Sequence, residues 1–410
     1  MRKVLHSIVA VLLATSFSNI SLAADVIRIA ITGPFSGGSA PMGVSMRNGA
    51  KLAFSKINQN GGIMIAGKKT KVEIIERDDE GKNDRGALIA QEISSMNNVS
   101  AVIGTVNTGV AVMGDKYYVE KNIVKIITPA AGSASMTQWN KTGVKNLPIF
   151  RFAAHDGIQA QMVVEQALKL GIKKVAILYD ATNYGVSGRD DLTRQINKQG
   201  NKLQVMALEK FAIGDKDMTG QLIKAKAAGA QAILIWGIGP ELAAVAAGKE
   251  KLGFKVPMIG GWTLSMSNFI DTAGPAGNGA LMPQTFIEDP SIARARPFIQ
   301  AYHTMYGGSK IPSPVSAAQG YDAALLLAQA IHEAGSSNPS KIRVALENLK
   351  VTVKGSIADW KKPWSTWNPA NVESHEAFRR STTVMGQVKN GRVVLANSAD
   401  KAVLERSGSR

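Results

Sequence analysis

The chain has 410 residues, of which 45% are apolar and 19% charged, a formal net charge of +17 and no cysteine. That length predicts at least two domains with sizeable cores, and the composition excludes a disordered or fibrous chain. The missing cysteines exclude disulfides, thiolate metal sites, a cysteine nucleophile and a lipidated N-terminal cysteine, and the spread of Lys and Arg without a long basic run reads as surface charge that steers anionic solutes rather than as a nucleic-acid face.

Residues 1–23 read as a secretory signal: Arg2 and Lys3, a short apolar run from Ile8 to Phe17, then Ser21-Leu22-Ala23 as a small-x-small cleavage pattern. The run is too short to span a bilayer, and no other apolar stretch approaches the necessary length, so the mature chain is expected to be exported and not inserted in a membrane. Val26–Thr32 then alternates as a strand and runs into Gly33-Pro34-Phe35-Ser36-Gly37-Gly38; a helix follows to Asn60, stopped by Gly61-Gly62. Further strands are expected at Val72–Glu76, Val99–Gly104 and Val124–Thr128, with helices from about Asn83 to Met96 and from Thr108. Leu147–Phe152 reads as a crossing, after which the βα pattern restarts with strands at Lys174–Tyr179, Leu203–Phe211, Ala232–Trp236 and Val256–Gly260. Ala280–Phe286 and Val351–Lys354 read as second and third crossings, and Thr382–Val388 and Arg392–Ala396 as a hairpin around Lys389-Asn390-Gly391. The expectation is an α/β chain of two doubly wound parallel-sheet lobes joined by a three-segment hinge: residues 24–150 plus 284–351 in lobe I, 151–283 plus 352–396 in lobe II, and 397–410 as a loose tail.

Ligands of open parallel sheets sit beyond the carboxyl ends of the strands. Two such ends follow one another here, and both carry small polar residues: Thr105, Asn107 and Thr108, then Ala130, Gly132, Ser133 and Ser135. With the N–H groups of a helix start at Thr108, these loops form a plausible clamp for a carboxylate, although ordinary βα turns favour the same residues. Enzyme signatures are missing: no G-x-x-x-x-G-K-[ST], no complete G-x-S-x-G and no H-E-x-x-H. His6, His155, His303, His332 and His375 have no metal-ligand spacing. No catalytic residue, metal or cofactor is therefore assigned.

Short motifs in fixed order carry a resemblance. They are Ile31-Thr32-Gly33-Pro34-Phe35-Ser36-Gly37, Asn60-Gly61-Gly62-Ile63, Asp78-Asp79, Val102-Ile103-Gly104, Ile127-Thr128-Pro129-Ala130-Ala131, Phe150-Arg151 and Asn183-Tyr184-Gly185. Together they make the chain similar to the leucine/isoleucine/valine-binding proteins of branched-chain amino-acid-type ABC transporters, over nearly all of the mature length. The resemblance implies type I lobes that close on a small carboxylate-bearing solute, a periplasmic location, delivery to an inner-membrane ABC permease and a monomeric state. It implies that Thr108 or Asn107, with Ala130, Gly132 and Ser133, holds the carboxylate, and that Tyr184 packs on the solute from the second lobe.

The family pattern is not met everywhere. An often aromatic position falls near Met42, the Gly132 position is often Thr, and the acid expected for the solute's ammonium is replaced by Gly260-Gly261-Trp262. Trp262 offers only a π-face for a cation, which favours an aromatic or other carboxylate without an amino group unless Asp156 or Glu241 substitutes. His155, next to Asp156, is a further candidate for contact with solute or hinge. The alternative function is a soluble periplasmic sensor that reports the solute to a membrane receptor.

Overall fold

The computed structural model describes residues 26–140 and 142–405; the expected signal segment lies outside them. The first half builds β1 (Ile27–Gly33), α1 (Ala40–Gln59), a small hairpin of β2 (Ile63–Ile65) and β3 (Lys68–Thr70), β4 (Val72–Asp78), α2 (Asn83–Ser95), β5 (Val99–Ile103), α3 (Thr108–Glu120), β6 (Val124–Ile127), α4 (Ala134–Thr137) and β7 (Ile149–Arg151). Leaving the hairpin aside, these strands form a five-stranded parallel sheet in the order β4-β1-β5-β6-β7. Leu147–Phe152 is thus more than a crossing, because its centre is the fifth strand of this sheet.

The chain then builds α5 (Asp156–Lys169), β8 (Lys174–Asp180), α6 (Asn183–Asn197), β9 (Gln204–Phe211), α7 (Thr219–Ala227), β10 (Ala232–Trp236), α8 (Glu241–Lys251), β11 (Met258–Gly260), α9 (Ser267–Ala273) and β12 (Leu281–Gln284). Next come α10 (Arg296–Tyr306), α11 (Pro314–Ala334), α12 (Pro339–Glu347), a two-stranded ribbon of β13 (Val353–Lys354) and β14 (Asp359–Trp360), the hairpin β15 (Val384–Lys389) and β16 (Arg392–Leu395), and α13 (Lys401–Glu405). The second sheet runs β16-β15-β12-β11-β10-β8-β9, parallel from β9 to β12 and antiparallel through the closing hairpin.

Within each sheet the parallel strands repeat one order, in which the second strand lies outside the first and the third on its other side. The strand order therefore reverses between β1 and β5 in one lobe and between β8 and β10 in the other. In such sheets the crevice beyond the carboxyl ends at the reversal is where ligands bind.

The helices after the second sheet return to the first lobe. α11 lies against α1 so closely that a Cβ on Gly49 would fall 1.9 Å from the Ala317 carbonyl oxygen, and one on Gly320 would fall 2.2 Å from that of Met46. Only glycine permits this backbone approach.

Two sequence expectations are corrected. Segment 352–378 packs on lobe I, not lobe II. The Trp360 indole donates to Asp322 of α11 (2.8 Å), Trp364 to the Arg151 carbonyl (3.1 Å) and Trp367 to the Val144 carbonyl (2.9 Å), while His375 stacks on Phe150. The third crossing therefore lies between Phe378 and Val384. The described part of the tail is also not loose: Ser398–Asp400 and Lys401–Glu405 are helical, and Leu404 is buried.

Candidate functional site

The loops beyond both strand-order reversals face one another across a cleft, and polar contacts bridge it at three places. Asn83 donates to Asn183 Oδ1 (3.3 Å), Asn268 donates to the Gly38 carbonyl (2.9 Å), and Ser133 Oγ donates to Asp191 Oδ2 (2.7 Å). Between the first of these bridges and the loops beside it is a cavity of about 360 Å³, lined by Lys82, Asn83, Asn107 and Thr108 on one side and by Thr182, Tyr184 and Ile238 on the other.

Of the two small-residue loops singled out in the sequence, the one after β5 lines the cavity as its first-lobe wall, through Asn107 and Thr108, and the one after β6 supports it. Gly132 N donates to Thr108 Oγ1 (3.2 Å), joining the loop after β6 to the start of α3. A Cβ on Gly132 would lie 2.3 Å from that oxygen, so Thr108 occupies the space a larger residue at 132 would need. Thr108 Oγ1 accepts here, which leaves its own hydroxyl proton to donate. The first bond inside α3 runs from Ala111 N to the Asn107 carbonyl; the N–H groups of Thr108, Gly109 and Val110 precede it and have no carbonyl within the helix. The Ala130 N–H reaches the Thr105 carbonyl (3.3 Å). Asn107 donates to Ser39 Oγ (3.1 Å), while its Oδ1 is buried without a partner.

This wall is held from behind. Arg151, buried at the end of β7, donates to the carbonyls of Ala131 (3.1 Å) and Gly132 (2.7 Å) and to Ser135 Oγ (3.0 Å), and it forms a two-point ion pair with the buried Glu376. Glu376 comes from segment 352–378, the tryptophan-rich stretch that carries Trp360, Trp364 and Trp367. Phe150-Arg151 thus acts behind the loop, not in the cleft.

The floor and the second-lobe wall are different. Asp156 opens α5, and its N–H donates to the Ala131 carbonyl (2.8 Å), but no well-formed hydrogen bond reaches its fully buried side-chain oxygens, and the Trp236 indole gives them only a weak interaction. Burial pushes its pKa well up; the Asp191 carboxylate adds to that rise, and the Arg151 guanidinium and the nearby Trp236 indole oppose it. The Tyr184 hydroxyl and the Trp236 Nε1 are likewise buried without a well-formed hydrogen bond, and weak polar contacts link Trp236 to Asp156 and Tyr184 to Trp236 and Thr263. Burial raises the Tyr184 pKa, with Asp156 contributing next. The two rings sit 6.0 Å apart, and glycines make room for them: a Cβ on Gly188 would meet the Trp236 ring at 2.1 Å, and one on Gly261 would lie 2.7 Å from the Tyr184 hydroxyl.

The sequence-predicted residues therefore divide. Asn107, Thr108, Ala130 and Gly132 meet in the first-lobe wall, and Tyr184 faces them from α6. Met42 is buried in α1, within the apolar cluster that also holds Tyr184, Trp236 and Trp262. The Trp262 N–H donates to Gln159 Oε1 (2.9 Å), and its side chain borders a void of about 10 Å³ beside Pro129, Ala154 and Gln319, on the hinge side of the cleft. His155 turns to Glu373 (3.5 Å) in the tryptophan-rich segment. Ser133 points to Asp191. Of the two substitute acids, Glu241 accepts from Gly214 N (2.6 Å) and lies against Gly239; Asp156 is the one beside Tyr184 and Trp236. Trp236 is the residue that local reading underweights, because its neighbours come from three separate segments: Asp156 of α5, Tyr184 and Gly188 of α6, and Gly261.

Among the described residues no group of His, Cys, Asp and Glu has a metal-binding arrangement, and no helix is long and apolar enough to cross a membrane. Residues 26–370 match the family model described as periplasmic binding protein. The chain belongs to that family, whose members are substrate-binding transport proteins of type I fold and not enzymes. It is 27% identical over 357 residues to the leucine-, isoleucine-, valine-, threonine-, and alanine-binding protein of Pseudomonas aeruginosa, covering 86% of this chain and 91% of that one. A periplasmic binding protein type 1 from Bordetella pertussis Tohama I superposes with a TM-score of 0.77 at 26% identity, over 90% of this chain and 99% of the other. A solute-binding protein of an ABC transporter from R. palustris, solved with benzoate, gives a TM-score of 0.74 at 19% identity over 91% and 96%, which speaks to fold alone.

Proposed function

We propose that this chain is the periplasmic, unlipidated solute-binding component of an ABC importer, that it takes a small α-amino acid into the inter-lobe cleft as a monomer, and that it hands it to an inner-membrane permease. The observation that carries the amino-acid reading is the Asp156 carboxyl, fully buried beside Tyr184 and Trp236 with no well-formed hydrogen bond and no cation paired to it. A buried carboxyl in that state is costly, and a cation that pairs with it recovers the cost. An α-ammonium is a cation small enough to reach Asp156 past Tyr184, which lines the cavity in front of it. The names of the amino-acid-binding relatives support the same reading, and Asp156 takes the place of the acid missing from Gly260-Gly261-Trp262.

On this reading the solute's carboxylate meets the Thr108 hydroxyl and the N–H groups at the start of α3, where the helix dipole favours an anion. Its ammonium meets Asp156, and its body lies against Tyr184 and Trp236. Arg151 keeps the carboxylate loop in place. Closure follows from the solute's greater affinity for the closed lobes, which shifts a pre-existing equilibrium.

The raised pKa of Asp156 favours a second reading, in which the protonated carboxyl donates to an aromatic or aliphatic acid that has no amino group. A thermal-shift panel of the mature protein separates the two. Leucine, isoleucine, valine, threonine and alanine are compared with 4-methylpentanoate and benzoate, since a ligand of the native state raises Tm by mass action. Shifts with amino acids alone support the proposal; shifts with the deaminated acids alone replace it with the second reading.

A further inference from the structure

Ser133 lies at the start of α4, where a serine hydroxyl ordinarily caps the helix. It makes no capping bond here. Its hydroxyl instead crosses the cleft to Asp191 Oδ2 at 2.7 Å. Asp191, on α6 of the second lobe, is buried, and its other oxygen is paired with the largely exposed Arg194. The Asp191 carboxylate is thus satisfied twice, once within its own lobe and once by the opposite lobe.

The loop bearing Ser133 is rigid. Its Ala131 and Gly132 carbonyls are fixed by Arg151, and Ser135 Oγ bonds back to the Gly132 carbonyl at 2.8 Å. A rigid donor facing a buried carboxylate makes a charge-assisted hydrogen bond, which is stronger than the neutral contact between Asn83 and Asn183. Opening the lobes breaks it and returns Asp191 to water.

We propose that Ser133 is a positioning residue and not a solute contact: with Asp191 and Arg194 it forms the latch of the closed state. The latch sets how long the cleft stays shut and leaves solute selectivity unchanged. Its kinetic consequence rests on the amino-acid reading above; the latch itself does not.

The test therefore has two arms. In the first, one spin label is placed on the exposed face of each lobe and the inter-label distances are measured in the full mature chain without solute. Ser133→Ala is expected to lower the closed fraction, and Ser133→Thr, which keeps a hydroxyl, to restore it. In the second arm, L-leucine dissociation and association are followed by stopped flow. Ser133→Ala is expected to speed dissociation about tenfold, the loss of one hydrogen bond to a charged group, with little change in association and the same leucine-to-alanine affinity ratio. Unchanged inter-lobe distances in Ser133→Ala overturn the latch. A change in the leucine-to-alanine ratio also overturns it, by returning Ser133 to the solute. If leucine fails to bind the wild-type protein, the second arm uses the amino acid with the largest thermal shift; if none of the five amino acids of the thermal-shift panel binds, the amino-acid reading fails while the first arm still decides the latch.

Discussion

The two walls of the cleft are finished to different degrees. On the first-lobe wall, Asn107 Oδ1 aside, the side chains and inward carbonyls of the Ala130–Ser135 loop are paired: Gly132 N on Thr108, the Ala131 and Gly132 carbonyls on Arg151, Ser135 on its own loop, Ser133 on Asp191. At the floor and on the second-lobe wall, Asp156, Tyr184 and Trp236 together leave four buried polar atoms without a well-formed hydrogen bond, in weak contact chiefly with one another. Natural structures pair most such atoms, so an unpaired group marks a role outside folding. The contrast teaches that the first wall is a pre-set frame and the second a surface completed by what it binds.

The largest effect is expected where the frame is cut. Glu376→Ala leaves Arg151 buried without its anion, and losing one partner of a buried ion pair costs roughly 3–5 kcal/mol. Urea unfolding of the mature protein measures this; a loss under about 1 kcal/mol means that the three carbonyl and hydroxyl acceptors suffice for Arg151 and that Glu376 is no part of the frame. The opposite behaviour is expected on the other wall. Asp156→Asn removes an acid that folding does not need, so the free protein keeps or raises its Tm, while amino-acid affinity falls about 100-fold, or about 2.8 kcal/mol. Destabilisation with unchanged affinity would make Asp156 a structural residue and erase the contrast.

Smaller changes sharpen it. Tyr184→Phe deletes the buried hydroxyl and keeps the ring, and affinity is expected to fall by roughly 1 kcal/mol, about fivefold, with Tm unchanged. Titration calorimetry checks the first number and a thermal melt the second; unaltered affinity removes the hydroxyl from the site.

Much of this plan was legible in the sequence, because βα alternation is a local signal. Apolar runs, Gly61-Gly62 and the small residues after β5 and β6 placed the strands, the helices and the first-lobe wall. The tryptophan-rich segment was not legible. Trp360, Trp364 and Trp367 follow no helical or strand period, and their acceptors, on Asp322, Arg151 and Val144, are remote in sequence. Nothing local therefore tells which lobe they cover. Asp156 is named by the sequence as one of two substitute acids, but the choice between it and Glu241 was not legible: its environment is assembled from α5, α6 and the end of β10, and its burial beside Tyr184 and Trp236 is visible only in three dimensions. Gly132 was read as a departure from the family pattern; the structure gives it a cause, since Thr108 fills the space.

The raised pKa of Asp156 makes its pairing with an ammonium measurable as proton release. In the free protein burial holds the carboxyl well above its ordinary range, so it binds a proton up to a raised folded value. Since that value exceeds the unfolded one, the free protein loses stability as pH rises through it. An ammonium beside the carboxyl lowers its pKa, so the proton leaves on binding and affinity climbs with pH until the free carboxyl has ionised. The decisive measurement is calorimetric titration of the wild-type protein and Asp156→Asn with the amino acid that gives the largest thermal shift, in two buffers of different ionisation enthalpy at a pH below the free-protein value. The account predicts a proton released on binding to the wild type and none with the residual binding of Asp156→Asn. Tight binding with no proton released in either protein, at equal affinity, would contradict it.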